Sequence, residues 1–245
     1  MAKSRASYGV DAPWITFGFI LGGACFIVLQ FVQTSVRGAI YPGISFFVAG
    51  MVMLWGSLVG KMRLRDRIFE LVSGDAEEIL DVGCGHGLML IGAAKRFPKA
   101  RLTGIDLWRG LDQASNSREA TMANCKAEGV ADRVELVDGD ARDLPFENDR
   151  FDVVLSSFAI HNIPDANGRK KAILEAVRVA KPGGRLEIVD IFKFREYEQT
   201  LKEAGLTVEM VRVSAFLILT TYWVRAVKPG NSEGPAPRQV SPTHV

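Results

Sequence analysis

This chain has almost no net charge: 30 Lys and Arg stand against 28 Asp and Glu, leaving +2 at neutral pH. Nothing in that balance points to nucleic acid as a partner. Cysteine is scarce. Cys25 lies in an apolar run, Cys84 in a glycine-rich turn and Cys125 in an expected helix. They form no metal-ligand cluster, and their odd number and scatter do not suggest a disulfide framework, so a reducing compartment is the simpler reading for the folded part. No internal repeat is visible. Low complexity is confined to residues 229–245, which are rich in Pro, Ser and Gly without an apolar period and read as a disordered tail.

Charge is missing altogether from two stretches near the start. "WITFGFILGGACFIVLQFVQ" (14–33) is uncharged over the length a helix needs to cross the hydrocarbon core of a bilayer. "GISFFVAGMVMLWGSLVG" (43–60) is nearly as long and also uncharged. Neither shows the polar stripe of a helix that covers a soluble core. The expectation is a transmembrane helical hairpin over 14–60, with two fully buried helices or a cleaved signal peptide for the first run as alternatives. Lys3 and Arg5 precede the first run, Lys61, Arg63, Arg65 and Arg67 follow the second, and the connection carries only Arg37. That asymmetry places both ends, and everything after them, on the cytoplasmic side of a bacterial-type inner membrane. Gly18/Gly22 and Gly56/Gly60 are small-xxx-small pairs, which suit close packing within the hairpin or between two chains.

After a juxtamembrane segment (61–76) the pattern becomes that of a water-soluble α/β domain over 77–228. β-type runs at 77–83, 101–107, 133–140, 151–158 and 185–191 alternate with helical stretches such as 87–96, 112–128 and 167–180. Two more β-like runs, 207–214 and 216–227, are joined so closely that they must pair antiparallel. The expected fold is α/β: a doubly wound, mostly parallel seven-stranded sheet. In such a sheet ligands bind at the carboxyl ends of the strands.

The chemistry begins at "ILDVGCGHGLML" (79–90), where Gly83, Gly85 and Gly87 follow a strand and open a helix. What this turn lacks narrows its ligand. A dinucleotide fingerprint needs glycine at 88, where Leu88 stands, and a phosphate loop needs Gly-Lys-Ser/Thr, for which there is no lysine. Asp81 ahead of the turn would repel a pyrophosphate and suits an ammonium or sulfonium charge.

The D-x-G-x-G-x-G turn resembles the first motif of the class I S-adenosylmethionine (SAM)-dependent methyltransferases, and further motifs occur in the family's order over residues 65–228. The nearest local likeness is to the ubiquinone/menaquinone-biosynthesis-like small-molecule group. The resemblance implies SAM as cofactor, with Asp81, Gly83, Cys84, Gly85 and Gly87 at the turn. "GIDLW" (104–108) would set Asp106 on the ribose hydroxyls and Leu107 against adenine. In "DGDARDLPF" (138–146), Asp140 would accept from the adenine amino group and Ala141 would donate its backbone N–H. "FDVVLSSFAIHNI" (151–163) resembles the motif lining the transfer site, with Ser156, Ser157 and Phe158 near the sulfonium. Asp112, Gln113 and Asn116 could lie over the pocket, or could simply start a helix.

Methyl transfer requires alignment, exclusion of water and, for a protonated acceptor, a base. His161 stands just past the fourth strand and is the candidate base, since histidine titrates near neutral pH; the alternative is a histidine that shapes its loop. His86 would touch the methionine part of SAM or only the helix start, and Asp190 is a weaker rim candidate. Between the fifth strand and the closing hairpin there is only one amphipathic helix (192–205), so no large lid is inserted. The expected acceptor is a small lipophilic molecule reached from the bilayer. An NAD-type oxidoreductase, a non-catalytic SAM-binding scaffold and a nucleic-acid or protein methyltransferase are the rival readings. The first is disfavoured by Leu88, and the last by "SSFAIHN" where an Asn/Asp-Pro-Pro-Tyr/Phe motif would stand.

Overall fold

The computed structural model describes residues 6–33, 38–72, 74–108, 116–213 and 221–230. The expected disordered tail from 231, Lys3, Arg5, Arg37, Asp112 and Gln113 lie outside them. Seven strands form one sheet: β1 (Glu78–Val82), β2 (Arg101–Asp106), β3 (Val134–Asp138), β4 (Phe151–Ser157), β5 (Ala180–Asp190), β6 (Thr207–Val213) and β7 (Thr221–Val227). Their order is β3-β2-β1-β4-β5-β7-β6. The pairs from β3 through β5 are parallel, and β7 runs antiparallel to both β5 and β6. The doubly wound sheet with one reversed strand is therefore as the alternation of runs implies. The strand order reverses between β1 and β4, which makes the gap above those two strands the place for a ligand.

Because strands buried on both faces need apolar side chains on both, β1 and β4 are sealed almost throughout. On one face they pack against α3 (Lys61–Leu71), α4 (Leu88–Arg96) and α5 (Arg118–Ala127); on the other against α6 (Ala166–Val179) and α7 (Phe194–Glu203). The helix expected over 112–128 begins, among the described residues, at Arg118, where Ser117 caps it by accepting from the Ala120 amide. β5 starts earlier than its apolar run, at Ala180, so Lys181-Pro182-Gly183-Gly184 lies within the strand and not ahead of it.

The N-terminal part is a pair of helices, α1 (Pro13–Val32) and α2 (Ile40–Trp55), the second continuing through a π-helical turn (Gly56–Gly60) into α3; by length and composition α1 and the continuous helix Ile40–Leu71 could cross a membrane. α1 and α2 are not buried in the domain. Trp14, Leu21, Phe31, Val32 and Tyr41 are each more than 60% exposed. The two helices touch through Gly23, Gly43 and Gly50. A Cβ on Gly23 would stand 2.7 Å from the Gly43 carbonyl oxygen, and one on Gly50 would stand 2.6 Å from Ile20 Cγ1. Of the two packings that the spacing left open, Gly18/Gly22 therefore does not form the seam within the hairpin. Gly18 and Gly22 have nothing within 4 Å and face outward, because a helix turns about 100° per residue and the row through Gly23 lies on another side.

α3 belongs to the soluble domain by packing. Ile68 and Phe69 are buried, and Phe69 lies so close to Gly92 of α4 that a Cβ there would be 2.6 Å from its ring. Burial of such side chains stabilises by about 1.5–3 kcal/mol each, more than surface ion pairs contribute. The helix leads into β1 at the lower, amino-terminal edge of the sheet, so its own start lies at the upper edge. Lys61 Nζ there donates to the Tyr8 and Gly9 carbonyls, 2.7 and 2.8 Å away, and Gly9 rests against the His86 ring of the glycine turn. The helix pair therefore rises from the edge of the sheet that carries the turn.

Candidate active site

The glycine turn folds as its sequence demands. Gly83, Gly85 and Gly87 all have positive φ (72°, 49° and 81°), a backbone region that side chains disfavour. At Gly83 space is also decisive: a Cβ would collide with that of Ala159, in the loop after β4. The amides of Gly83 and Cys84 donate to the Ile105 carbonyl, which ties the turn to the end of β2. Asp106 adds a second tie. One carboxylate oxygen accepts from the Gly85 amide at 2.8 Å and the other from the Trp108 amide at 2.7 Å. The Asn116 amide group lies 3.4 Å from that second oxygen, so part of the 112–116 segment does reach the site. Leu107 is 45% exposed beside it. Cys84 points inward, and burial pushes its thiol well above the ordinary range.

Asp81 is sealed beneath the turn at 1% exposure. Burial pushes its carboxyl up to about 7; the Leu90 amide pulls the other way and the charge of Asp106 adds to the push. Neither of its oxygens makes a well-formed hydrogen bond, and the Asn116 carbonyl oxygen is equally without one. Buried acceptors left unsatisfied cost free energy, which a ligand donor or cation nearby offsets. Both sit around one cradle lined by glycine and carboxylates. That donor-poor, acid-rich setting fits an ammonium, a sulfonium and ribose hydroxyls, and does not fit a phosphate.

The next turn holds Asp140 and Ala141, both part-buried. The Asp140 carboxylate is gripped by Arg142, whose Nε lies 3.0 and 3.1 Å from its two oxygens and whose Nη2 lies 2.6 Å from one. An adenine amino group there would share that carboxylate with Arg142, using its remaining lone pairs. Ser156 is placed differently from expectation. Its hydroxyl is buried and donates to the Val82 carbonyl at 3.0 Å, so it stitches β4 to β1 just below the turn. Ser157 and Phe158 stand higher and are part-buried; Phe158 takes a positive φ of 53°, as Trp108 does above β2. Bulky side chains rarely adopt that conformation, and strain of this kind gathers at ligand sites.

Across the gap, His161 and Asp190 meet. His161 lies in a short 3-10 turn after β4 and Asp190 ends β5, with Nδ1 2.6 Å from Oδ1. The ring is turned so that its N–H does not aim straight at that oxygen. Asp190 is buried at 1% exposure and also accepts from the Tyr197 hydroxyl of α7 at 3.1 Å and the Ile191 amide at 2.8 Å. Burial, reinforced by Asp190, holds the Tyr197 hydroxyl far above its usual titration, so it stays a donor. Phe192, half exposed, sets its ring edge-on to His161 at 6.0 Å.

Residues 79–184 match the family model described as a methyltransferase domain. The match marks them as a methyltransferase domain. The sterol 4-C-methyltransferase strm-1 of Caenorhabditis elegans is 32% identical over 124 residues, 51% of this chain and 34% of that protein. The demethylmenaquinone methyltransferase of Staphylococcus aureus is 39% identical over 106 residues, 43% of this chain and 39% of that protein. The chain thus spans well under half the length of both relatives. An O-methyltransferase family protein from Burkholderia thailandensis shares the fold with a TM-score of 0.58 at 18% identity, over 89% of this chain and 69% of that one. The cofactor of the domain is S-adenosyl-L-methionine, and the cradle of glycines, Asp81, Asp106 and Asn116 suits it.

Sequence reasoning missed several residues that brace this candidate site from behind. Thr121 donates its hydroxyl to the Gly85 carbonyl at 2.5 Å, and Asn124 donates to the His86 carbonyl at 3.0 Å. Both come from α5, where they read only as polar positions of an amphipathic helix. Tyr197 and Phe192 carried no motif. Their register against His161 is set by how α7 docks on the sheet.

Proposed function

We propose that the chain is a membrane-anchored methyltransferase that acts on a small, lipophilic acceptor at the bilayer surface. The observation that carries this reading is the common edge: the helix pair rises from the side of the sheet that bears the cofactor turn and His161. Two relatives are named for a sterol and for demethylmenaquinone, both lipophilic molecules. In this reading α1 and α2 span the inner membrane, the catalytic domain is cytoplasmic, and the outward Gly18/Gly22 face accommodates the helix of a second copy.

Bound SAM supplies a methyl group on a sulfonium, an already activated carbon. The residues of the chain then align, dry and deprotonate. The glycine turn, Asp106, Asp140 and the Ala141 amide orient the cofactor. Leu107, Phe158 and Phe192 exclude water from the approach line. His161 would take the proton of the acceptor on Nε2, while Asp190 steadies the ring from the Nδ1 side, with the methyl group supplied by the cofactor that the turn holds.

The test is transfer from methyl-labelled SAM by the full-length protein in detergent to a cell extract split into lipid and aqueous fractions, with Gly83→Val as the inactive blank. Label in the lipid fraction that is absent from the blank is the expected result. Label only in the aqueous fraction would refute the lipophilic acceptor, and cofactor binding without any transfer would favour a scaffold.

A further inference from the structure

The segment ahead of α1 is not a free terminus. Tyr8 is 5% exposed, and Ala6 packs with it against the core formed by α3, α4 and α5. At Ser7 the backbone makes a reciprocal pair with the Asn124 side chain: the Ser7 amide donates to Asn124 Oδ1 at 2.9 Å, and Asn124 Nδ2 donates to the Ser7 carbonyl at 2.7 Å. The same Nδ2 donates to the His86 carbonyl, inside the glycine turn. One residue further on from Tyr8, Gly9 lies flat on the His86 ring, with room for no more than a Cβ at van der Waals distance, 3.4 Å from Nε2.

The other side of the segment is held from the membrane-proximal helix. Lys61, 4% exposed, donates to the Tyr8 and Gly9 carbonyls and pairs with the Asp11 carboxylate at 3.2 Å. Ser57, in the π-helical turn, accepts from the Asp11 amide at 3.0 Å and donates to its carboxylate at 3.2 Å. Residues 6–12 are therefore stretched between two anchors. One is the cofactor turn, reached through Asn124; the other is the helix that emerges from the apolar pair.

We propose that residues 6–12 are a strap that holds the glycine turn in its cofactor-binding shape, and that Asn124 is the positioning residue that fastens it. The turn needs such support. Three glycines with positive φ fall within five positions, and fixing so permissive a backbone costs conformational entropy. Asn124 and Gly9 order the turn before the ligand arrives, so the binding event does not bear that cost. Asn124 touches neither cofactor nor acceptor in this arrangement. Its effect is on affinity and on the order of the turn, not on the chemical step. The inference rests on the cofactor of the domain and is independent of the acceptor.

The test uses the full-length protein in detergent and two readouts that need no turnover: calorimetric affinity for S-adenosylhomocysteine, and amide hydrogen exchange over residues 83–89 without ligand. Ser7→Pro removes the one N–H that Asn124 Oδ1 accepts from the strap and leaves the domain core untouched. Lys61→Met releases the strap from its other anchor. Asn124→Leu removes all three hydrogen bonds at similar volume. The expected result is a fall in affinity of about tenfold for Ser7→Pro and for Lys61→Met, more for Asn124→Leu, with faster exchange in the turn in each. Where transfer can be followed, KM for SAM rises by the same factor while kcat stays within about twofold. Affinity within about twofold of the parent for both Ser7→Pro and Lys61→Met, with unchanged exchange in the turn, would overturn the proposal. An effect in Asn124→Leu alone would also overturn it, by assigning the support to the His86 carbonyl without the strap.

Discussion

His161 and Asp190 face each other across the ends of two adjacent parallel strands, with Nδ1 2.6 Å from Oδ1 and the carboxylate buried behind the ring. A carboxylate on Nδ1 keeps the proton there, leaves Nε2 as the basic nitrogen, and opposes rotation of the ring. Replacing His161 with Ala is expected to lower kcat by about 100- to 10,000-fold with little change in SAM affinity. Asp190→Asn should lower kcat by a smaller factor, because the ring loses the carboxylate that steadies it. Steady-state rates across pH check both. Unchanged kcat with a lower Tm would mean that the pair only shapes the loop.

Asp81 makes the cradle sensitive to pH. Its carboxyl is pushed up to about 7 in the folded chain, whereas an unfolded Asp titrates near 3.9. The stability it contributes is full below about pH 4 and is lost as pH rises towards 7, with a slope of up to about 1.4 kcal/mol per pH unit. Asp81→Asn should flatten that stretch of the Tm–pH curve and stabilise the ligand-free protein at pH 7.5. A positive ligand above Asp81 draws its proton off, so wild-type SAM binding at pH 6.5 should release protons. Calorimetry in two buffers of different ionisation enthalpy measures this. Proton release that persists in Asp81→Asn would assign it elsewhere.

Glu187 gives a second acidic shoulder, two strands across the sheet from Asp81. It lies at 2% exposure on β5, accepts from Trp223 Nε1 at 2.8 Å, and has Arg225 Nε 3.5 Å away. Burial pushes it up to about 7 against the pull of Arg225. The sign is that of Asp81: stability is present at low pH and lost between about 4.5 and 7. Glu187→Gln keeps an acceptor for Trp223 and should raise Tm at pH 8 while leaving it unchanged near pH 4. Urea unfolding at the two pH values decides it.

The helix pair should answer to its glycines unequally. Gly23→Val drives a branched side chain into the backbone of α2 near Gly43 and Phe47 and should cost about 1–3 kcal/mol or separate the helices. Gly18→Ala and Gly22→Ala face open space and should be neutral for the monomer. Thermal unfolding in detergent compares them. Equal effects would refute the seam described here.

The glycine turn was legible in the sequence because its function depends on backbone conformation, and only glycine supplies that conformation cheaply. The positions of Asp106 and His161 were legible because they stand at strand ends, where chain direction alone puts them on the carboxyl edge of the sheet. Ser156 was misjudged for the opposite reason. Strand residues alternate between faces, but whether a small hydroxyl aims at a ligand or at a neighbouring carbonyl depends on contacts the alternation does not encode. Gly18 and Gly22 carried the spacing for close packing, but which side of α1 meets α2 was not written in it.

The alternation of apolar and amphipathic runs thus determined the sheet, its reversed strand and the edge where chemistry belongs, since those follow from local periodicity and chain connectivity. The tertiary structure alone decided that Asp190 backs His161, that Asn124 joins the strap to the cofactor turn, and that the apolar helices rise from the active edge. Each of these brings together groups 29 to 117 positions apart in the chain. Such pairs arise from docking whole elements, and their geometry is set by packing volumes that no short stretch of sequence contains.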